Sequence, residues 1–219
     1  MSDPTSKRPL LRHPRWFAGA ALVGIVAGVG AVYVSGGFAG NADAAECRAA
    51  VDDGKRIAAG ATATVAGFMA AETPTDLSAL AFRNADGSDV TLADYAGKTV
   101  LLNLWATWCA PCRAEMPSLD ALEKKRGTDD FQVVAVSVDT KDDGRAGRFF
   151  DETGIDTLEL HTEPTLQLFN TLKSAELVEG LPTTLLIDKA GCHVGSLAGA
   201  AEWDSPEAIA LIDAATKPQ

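Results

Sequence analysis

A seven-residue run, Thr99-Val100-Leu101-Leu102-Asn103-Leu104-Trp105, is followed four residues later by Cys109-Ala110-Pro111-Cys112 and then by a helix-forming stretch. Its nearly continuous apolar character is what a strand buried on both faces requires, so it is expected at the centre of a sheet covered by helices. Two cysteines three apart at a helix start place the first sulfur beside unsatisfied backbone N–H groups, which favour negative charge and lower a thiol pKa. Cys109 is therefore the expected attacking thiolate. Cys112, about one helical turn further in, is the expected resolving thiol. Pro111 supplies no N–H, which the first turn of a helix does not use.

Other uses of such a pair fit less well. A zinc site needs a second pair of ligands, yet the remaining cysteines, Cys47 and Cys192, are isolated and the only histidines are His13, His161 and His193. Haem attachment needs a histidine after the second cysteine, where Arg113 stands. A structural disulfide seldom sits between a buried strand and a helix start. No metal and no cofactor beyond the cysteine pair is expected.

The rest of the chain alternates. Residues 44–71 are rich in helix formers and predict one or two helices, interrupted near Gly54 or Gly60. Leu80–Arg83 and Asp89–Leu92 flank Asp86-Gly87, a hairpin signature. After the helix from about Ala110 to Lys125, ended by Gly127, a second buried strand is expected over Phe131–Val138. A helix over Asp142–Glu152, a short strand near Leu158–His161 and a helix over Leu166–Leu172 come next. A hairpin of Thr183–Asp188 and His193–Leu197, turning at Ala190-Gly191, leads to a last helix, Pro206–Ala215, capped by Ser205. Trp203 and Phe149-Phe150 read as packing groups, and His161 and His193 as ordinary surface or turn residues.

The net charge is −11, yet residues 1–15 carry Lys7, Arg8, Arg12 and Arg15 against Asp3 alone. The acidic body argues against a nucleic-acid partner, which demands clustered Lys and Arg. No charged residue occurs between Arg15 and Asp43, and Trp16–Phe38 is long enough to cross a bilayer as a helix. The basic residues before it place the N-terminus in the cytoplasm and the body across the membrane. Ala42-Asp43-Ala44 has the form of a signal-peptidase site, so cleavage is the alternative to a retained anchor. The division expected is a basic tail at 1–15, an anchor at 16–38, a linker and extra helical segment at 39–73, and the main domain at 74–219.

The segment Asn103-Leu104-Trp105-Ala106-Thr107-Trp108-Cys109-Ala110-Pro111-Cys112-Arg113-Ala114-Glu115-Met116-Pro117 resembles the TlpA/ResA/CcmG group of the thioredoxin superfamily. Leu181-Pro182-Thr183 before a later strand, the N-terminal anchor and a cysteine-bearing extra helix add to that resemblance, which covers roughly residues 44–219. It implies an α/β, thioredoxin-like fold, a central mixed sheet flanked by helices, with an N-terminal transmembrane helix and an extra N-terminal helix and hairpin. It also implies that Pro182 is a cis-proline bordering the cysteines and, with Leu181, holding a partner's backbone; a trans proline opening a strand is the alternative. Thioredoxin has a buried Asp where this chain has Asn103, and an amide cannot accept a proton at neutral pH. Glu115, one turn beyond Cys112, can face the same site. The resemblance makes it the active-site acid assisting Cys112; an exposed surface carboxylate is the alternative. Trp108 is expected to be exposed as a flat contact for partners.

The implied activity is reduction of disulfides in exported proteins by a monomeric domain anchored in the inner membrane and facing the periplasm. The implied clients are cysteine-bearing factors of respiratory-oxidase copper-site assembly or cytochrome c maturation, and the implied electron source is a membrane thiol transporter of the DsbD/CcdA kind. Ala110 adds no thiolate-stabilising group between the cysteines, which points to a reducing pair. A disulfide-forming oxidase and a Cu(I)-holding metallochaperone are the rival readings. Cys47 and Cys192, left over in an oxidising compartment, are expected to pair as a structural disulfide, with two free buried thiols as the alternative.

Overall fold

The structure is a computed structural model and describes residues 47–217 apart from Asp142. The expected basic tail, membrane span and signal-peptidase-like triplet lie outside the described residues. Among the described residues no helix is long and apolar enough to cross a membrane.

The elements run α1 (Arg48–Ala58), β1 (Met69–Ala70), β2 (Ala81–Arg83), β3 (Asp89–Thr91), β4 (Thr99–Trp105), α2 (Ala110–Arg126), β5 (Phe131–Ser137), α3 (Arg145–Thr153), β6 (His161–Thr162), α4 (Gln167–Ser174), β7 (Thr183–Ile187), β8 (His193–Ala198) and α5 (Pro206–Thr216). The strands form one mixed sheet in the order β1-β8-β7-β4-β5-β6-β2-β3. β4 runs parallel to β5 and β5 to β6, whereas β7 lies antiparallel to β4. Every residue of β4 is buried, as its apolar run requires. This is the α/β, thioredoxin-like arrangement, a mixed sheet flanked by helices.

Side chains alternate across the sheet. Leu101 and Trp105 join a core under α1, α2, α3 and α5, while Val100, Leu102 and Leu104 join the core on the opposite face with Leu168 and Leu172 of α4. Asn103 shares its face with Leu101 and Trp105, so the polar interruption in β4 faces the side covered by α2. Thr184 of β7 stands opposite Asn103 in the ladder. Ser205 caps α5 through a hydrogen bond from the Ala208 amide.

Several boundaries differ from expectation for local reasons. Gly54 does not interrupt α1; a Cβ there would stand 2.0 Å from the Val194 carbonyl oxygen, so glycine lets the helix lie directly on β8. The strand expected near Leu158–His161 is confined to His161–Thr162, because the amides of Thr157 and Leu158 donate to Asp120 Oδ1 at 2.8 and 2.9 Å rather than to a neighbouring strand. α3 begins at Arg145, after Gly144 adopts a left-handed conformation with φ 72°. The hairpin of β2 and β3 turns at Gly87, φ 83°, and ends at Thr91; Leu92–Tyr95 instead forms a 3-10 turn closed by a reciprocal Thr91–Asp94 capping box.

Candidate functional site

The site forms where β4 ends and α2 begins. Cys109 is the N-cap residue of α2, and its sulfur accepts a hydrogen bond from the Cys112 amide at 3.3 Å. A backbone N–H at the positive end of a 17-residue helix thus points at the sulfur that would carry thiolate charge. Cys109 and Cys112 are joined as a disulfide with Cα atoms 5.3 Å apart. Cys109 keeps 6% of its surface exposed and Cys112 none, so an incoming partner meets Cys109 first. Ala110 and Pro111 are exposed beside it, and Trp108 is 67% exposed.

The loop carrying Trp108 is held from both sides. Asp139, just beyond β5, accepts hydrogen bonds from the Thr107 amide, the Thr107 hydroxyl and the Ser137 hydroxyl, each at 2.9 Å. The Arg113 guanidinium donates to the Thr107 carbonyl at 3.3 Å. Asp139 was not singled out in the sequence. Its signal is a carboxylate just past the carboxyl end of a buried strand, the edge where open α/β sheets build their sites.

Beneath the cysteines lies Glu115, only 3% exposed, which excludes the surface-carboxylate alternative. Its Oε1 accepts from Asn103 Nδ2 at 2.9 Å. Its Oε2 accepts from the Ala201 amide and from Trp203 Nε1, both at 3.1 Å. Burial pushes the Glu115 carboxyl up to about 7, against the opposing pull of the hydrogen bonds from Asn103, Ala201 and Trp203. A carboxyl with that balance can exchange a proton near neutrality. Trp203 is therefore more than the packing group expected: it is buried, and its indole N–H is spent on Glu115.

The Leu181–Pro182 peptide bond is cis, and Pro182 directly precedes β7. Because β7 is antiparallel to β4, Pro182 lies at the same end of the sheet as the cysteine loop. Leu181 is half-buried there.

Cys47 and Cys192 form a second disulfide, with Cα atoms 5.2 Å apart. It joins the start of α1 to the turn after β7, at the opposite end of that strand from Pro182, so the structure does not bring it to the site. The two described histidines are not surface residues. His161 is fully buried between Tyr95, whose hydroxyl lies 2.8 Å from Nε2, and the Glu159 carbonyl, 3.1 Å from Nδ1. His193 is 3% exposed; it stands opposite Ile187 of β7, on the face of the sheet away from α1, and both ring nitrogens lack a well-formed hydrogen bond among the described residues. Burial pushes its pKa down to about 4. No group of three or more His, Cys, Asp or Glu placed to hold a metal occurs among the described residues.

Comparison with known proteins gives a consistent picture. The family model described as Redoxin matches residues 56–210. The thioredoxin-like protein YneN of Bacillus subtilis is 36% identical over 121 residues, 52% of this chain and 67% of that protein. The thiol-disulfide oxidoreductase ResA of Geobacillus kaustophilus is 38% identical over 108 residues, 48% of this chain and 57% of that protein. Matches to such curated relatives thus take in only part of their length. Among solved structures, one described as a thiol:disulfide interchange protein DsbE from Chlorobium tepidum superposes with a TM-score of 0.56 at 31% identity, covering 65% of this chain and 96% of that one.

Proposed function

This chain belongs to the Redoxin family, and from that premise we propose that it is a thiol–disulfide oxidoreductase that reduces disulfides in partner proteins through Cys109 and Cys112. One observation carries the reading above the others: a cysteine pair at a helix N-terminus is followed, one turn on in the same helix, by a buried carboxyl that burial pushes up to about 7.

In the forward cycle the pair starts as a dithiol. The Cys109 thiolate attacks one sulfur of the partner disulfide, and the other leaves as a thiolate, giving a mixed disulfide. Cys112 then gives its proton to the Glu115 carboxylate and attacks Cys109 Sγ. The bond between Cys109 and the partner breaks, the partner sulfur it held leaves as a thiolate, the Cys109–Cys112 disulfide forms, and two electrons have passed to the partner. Exposed Trp108, next to Cys109, and the Leu181–Pro182 segment at the same end of the sheet would hold the partner's chain. The disulfide-bonded pair described here corresponds to the end of that cycle.

The finer reading is that the anchor at 16–38 tethers the domain in the inner membrane, facing the periplasm. The uncharged span and the basic residues before it support this. Clients would then be exported cysteine proteins, those of oxidase copper-site assembly or cytochrome c maturation. Electrons would come from a membrane thiol donor of the DsbD/CcdA kind.

The test is to mix the reduced chain with a disulfide-bonded protein and titrate the thiols released. We expect one partner disulfide opened per chain, no release with Cys109→Ser, and a trapped covalent complex with Cys112→Ser. Release of thiols by Cys109→Ser at the wild-type rate would contradict the assignment.

A further inference from the structure

The hydrogen bonds around Glu115 suit only one of its two protonation states. Asn103 Nδ2 donates to Glu115 Oε1 and to Thr184 Oγ1, both at 2.9 Å. The Ala201 amide and the Trp203 indole donate to Oε2. Both oxygens thus face only donors, which fits a carboxylate. A protonated Glu115 would carry an O–H with nothing to accept it, and an unpaired buried donor costs about 1–3 kcal/mol. Yet in the exchange proposed above this group must alternate between the two states.

Asn103 supplies the missing acceptor. The residue is fully buried, and its Oδ1 has no hydrogen-bond partner among the described residues. The two ends of a carboxamide are nearly the same shape, so turning the amide over costs no packing. After the turn, Oδ1 faces Glu115 and Thr184, and Nδ2 takes the place where Oδ1 now stands unpaired. The number of unpaired atoms does not change. Oδ1 can then accept the Glu115 O–H, and the Thr184 hydroxyl, which was an acceptor, rotates to donate. Thr184 is equally confined, 1% exposed in register with Asn103, so it stays in reach in both arrangements.

We propose that Asn103 and Thr184 form a two-position relay whose amide and hydroxyl reverse their hydrogen-bonding roles each time Glu115 gains or loses its proton. Asn103 is a positioning residue here; it touches Glu115 rather than the reacting sulfurs. The inference rests on the role given to Glu115 under the proposed function. The recorded partners of the Glu115 carboxyl are Asn103 from β4 and Ala201 and Trp203 from the segment before α5, with Thr184 of β7 one step behind Asn103 and Cys112 three residues earlier on the same helix. Among the described residues every hydrogen bond recorded to the Glu115 carboxyl comes from a donor, and a turned Asn103 supplies the acceptor its proton needs.

The experiment is nuclear magnetic resonance of the full-length oxidised chain, with Glu carboxyl carbons and Asn side-chain amides labelled, titrated from pH 5 to 9. Glu115→Gln and Asn103→Val assign the two signals. The relay requires the Asn103 NH2 protons to leave hydrogen-bonded shifts as pH falls, with the midpoint of the Glu115 carboxyl. That transition is lost in Glu115→Gln. Asn103→Val supplies a second reading. A relay stabilises both forms of Glu115, so removing it moves the Glu115 midpoint by less than about half a pH unit. A fixed donor to the carboxylate, worth about 1.5–3 kcal/mol, would on removal raise the midpoint by about 1–2 units. Asn103 protons that stay hydrogen-bonded while Glu115 titrates, or a rise of a unit or more in Asn103→Val, overturn the relay. A Glu115 carboxyl that does not titrate in this range overturns both the relay and its acid–base role. The readouts need no turnover, so failure of the chain to reduce a partner would overturn the proposed function and leave these results standing.

Discussion

Trp203 Nε1 donates to Glu115 Oε2 at 3.1 Å, joining the segment before α5 to the first turns of α2 across 88 residues of chain. With the Ala201 amide on the same oxygen, the closing segment of the domain supplies two of the carboxyl's three hydrogen-bond donors. The acid beneath the cysteines is therefore a product of the whole fold.

Glu115→Gln removes the proton acceptor while keeping the size of the side chain. Resolution of the mixed disulfide by Cys112 is expected to slow about 10²-fold, the lower range for loss of general acid–base assistance. Attack by Cys109 on the partner should change little. Rapid-quench trapping of the mixed disulfide separates the steps, and the intermediate should accumulate only in the variant.

Two buried groups give stability an opposed pH dependence. The Glu115 carboxyl lies near 7 in the fold against 4.5 for the free group, so the fold prefers its protonated form. That contribution is fully present below about 4.5 and is lost as pH rises through 7. His193 lies near 4 against 6.5, so its contribution is present above about 6.5 and is lost as pH falls through 4. Each shift corresponds to roughly 3 kcal/mol at most. Urea midpoints of the wild-type chain should vary little between pH 5 and 7. In Glu115→Gln they should fall toward acid, and in His193→Leu they should fall toward alkali.

Asp139→Ala leaves the Thr107 amide without its acceptor and frees the loop carrying Trp108 and Cys109. A loss of about 2 kcal/mol is expected from the missing charged hydrogen bonds. In the reduced chain, alkylation of Cys109 should also change several-fold, because the loop no longer holds the sulfur against the helix N-terminus. Asp139→Asn keeps one acceptor oxygen and should recover part of both.

The Cys47–Cys192 bond closes a loop with a sequence separation of 145. Replacing both cysteines with serine is expected to cost about 4–5 kcal/mol in the chain-entropy view. Because the bond lies at the far end of β7 from Pro182, the exchange rate at a temperature where the variant is folded should be unchanged. Thermal melting and thiol release, measured on one preparation, check both halves.

Much of this was legible locally. The apolar run of β4, the helix that follows Cys109 and the Ser205 cap each follow from neighbouring residues, and the Glu115 position follows from helical spacing. The rest depends on tertiary neighbours that no local pattern encodes. Gly54 reads as a helix breaker until β8 is known to lie against it. His193 reads as a turn residue until the ladder sets it opposite Ile187, on the buried face away from α1. Trp203 and Asp139 carry no mark of their hydrogen-bond partners, which come from α2 and from the loop before it. Residues around Leu158 look strand-like, but Asp120 of α2 has already claimed their amides.

The most direct test of the central claim is the reduction potential of Cys109–Cys112 in the full chain, equilibrated against defined thiol–disulfide buffers with Cys47–Cys192 followed separately. A pair that reduces partner disulfides should lie at or below about −210 mV, in the range of glutaredoxins and thioredoxin. A value near −120 mV, roughly that of a strong disulfide-forming oxidant, would contradict the direction of electron flow assigned here.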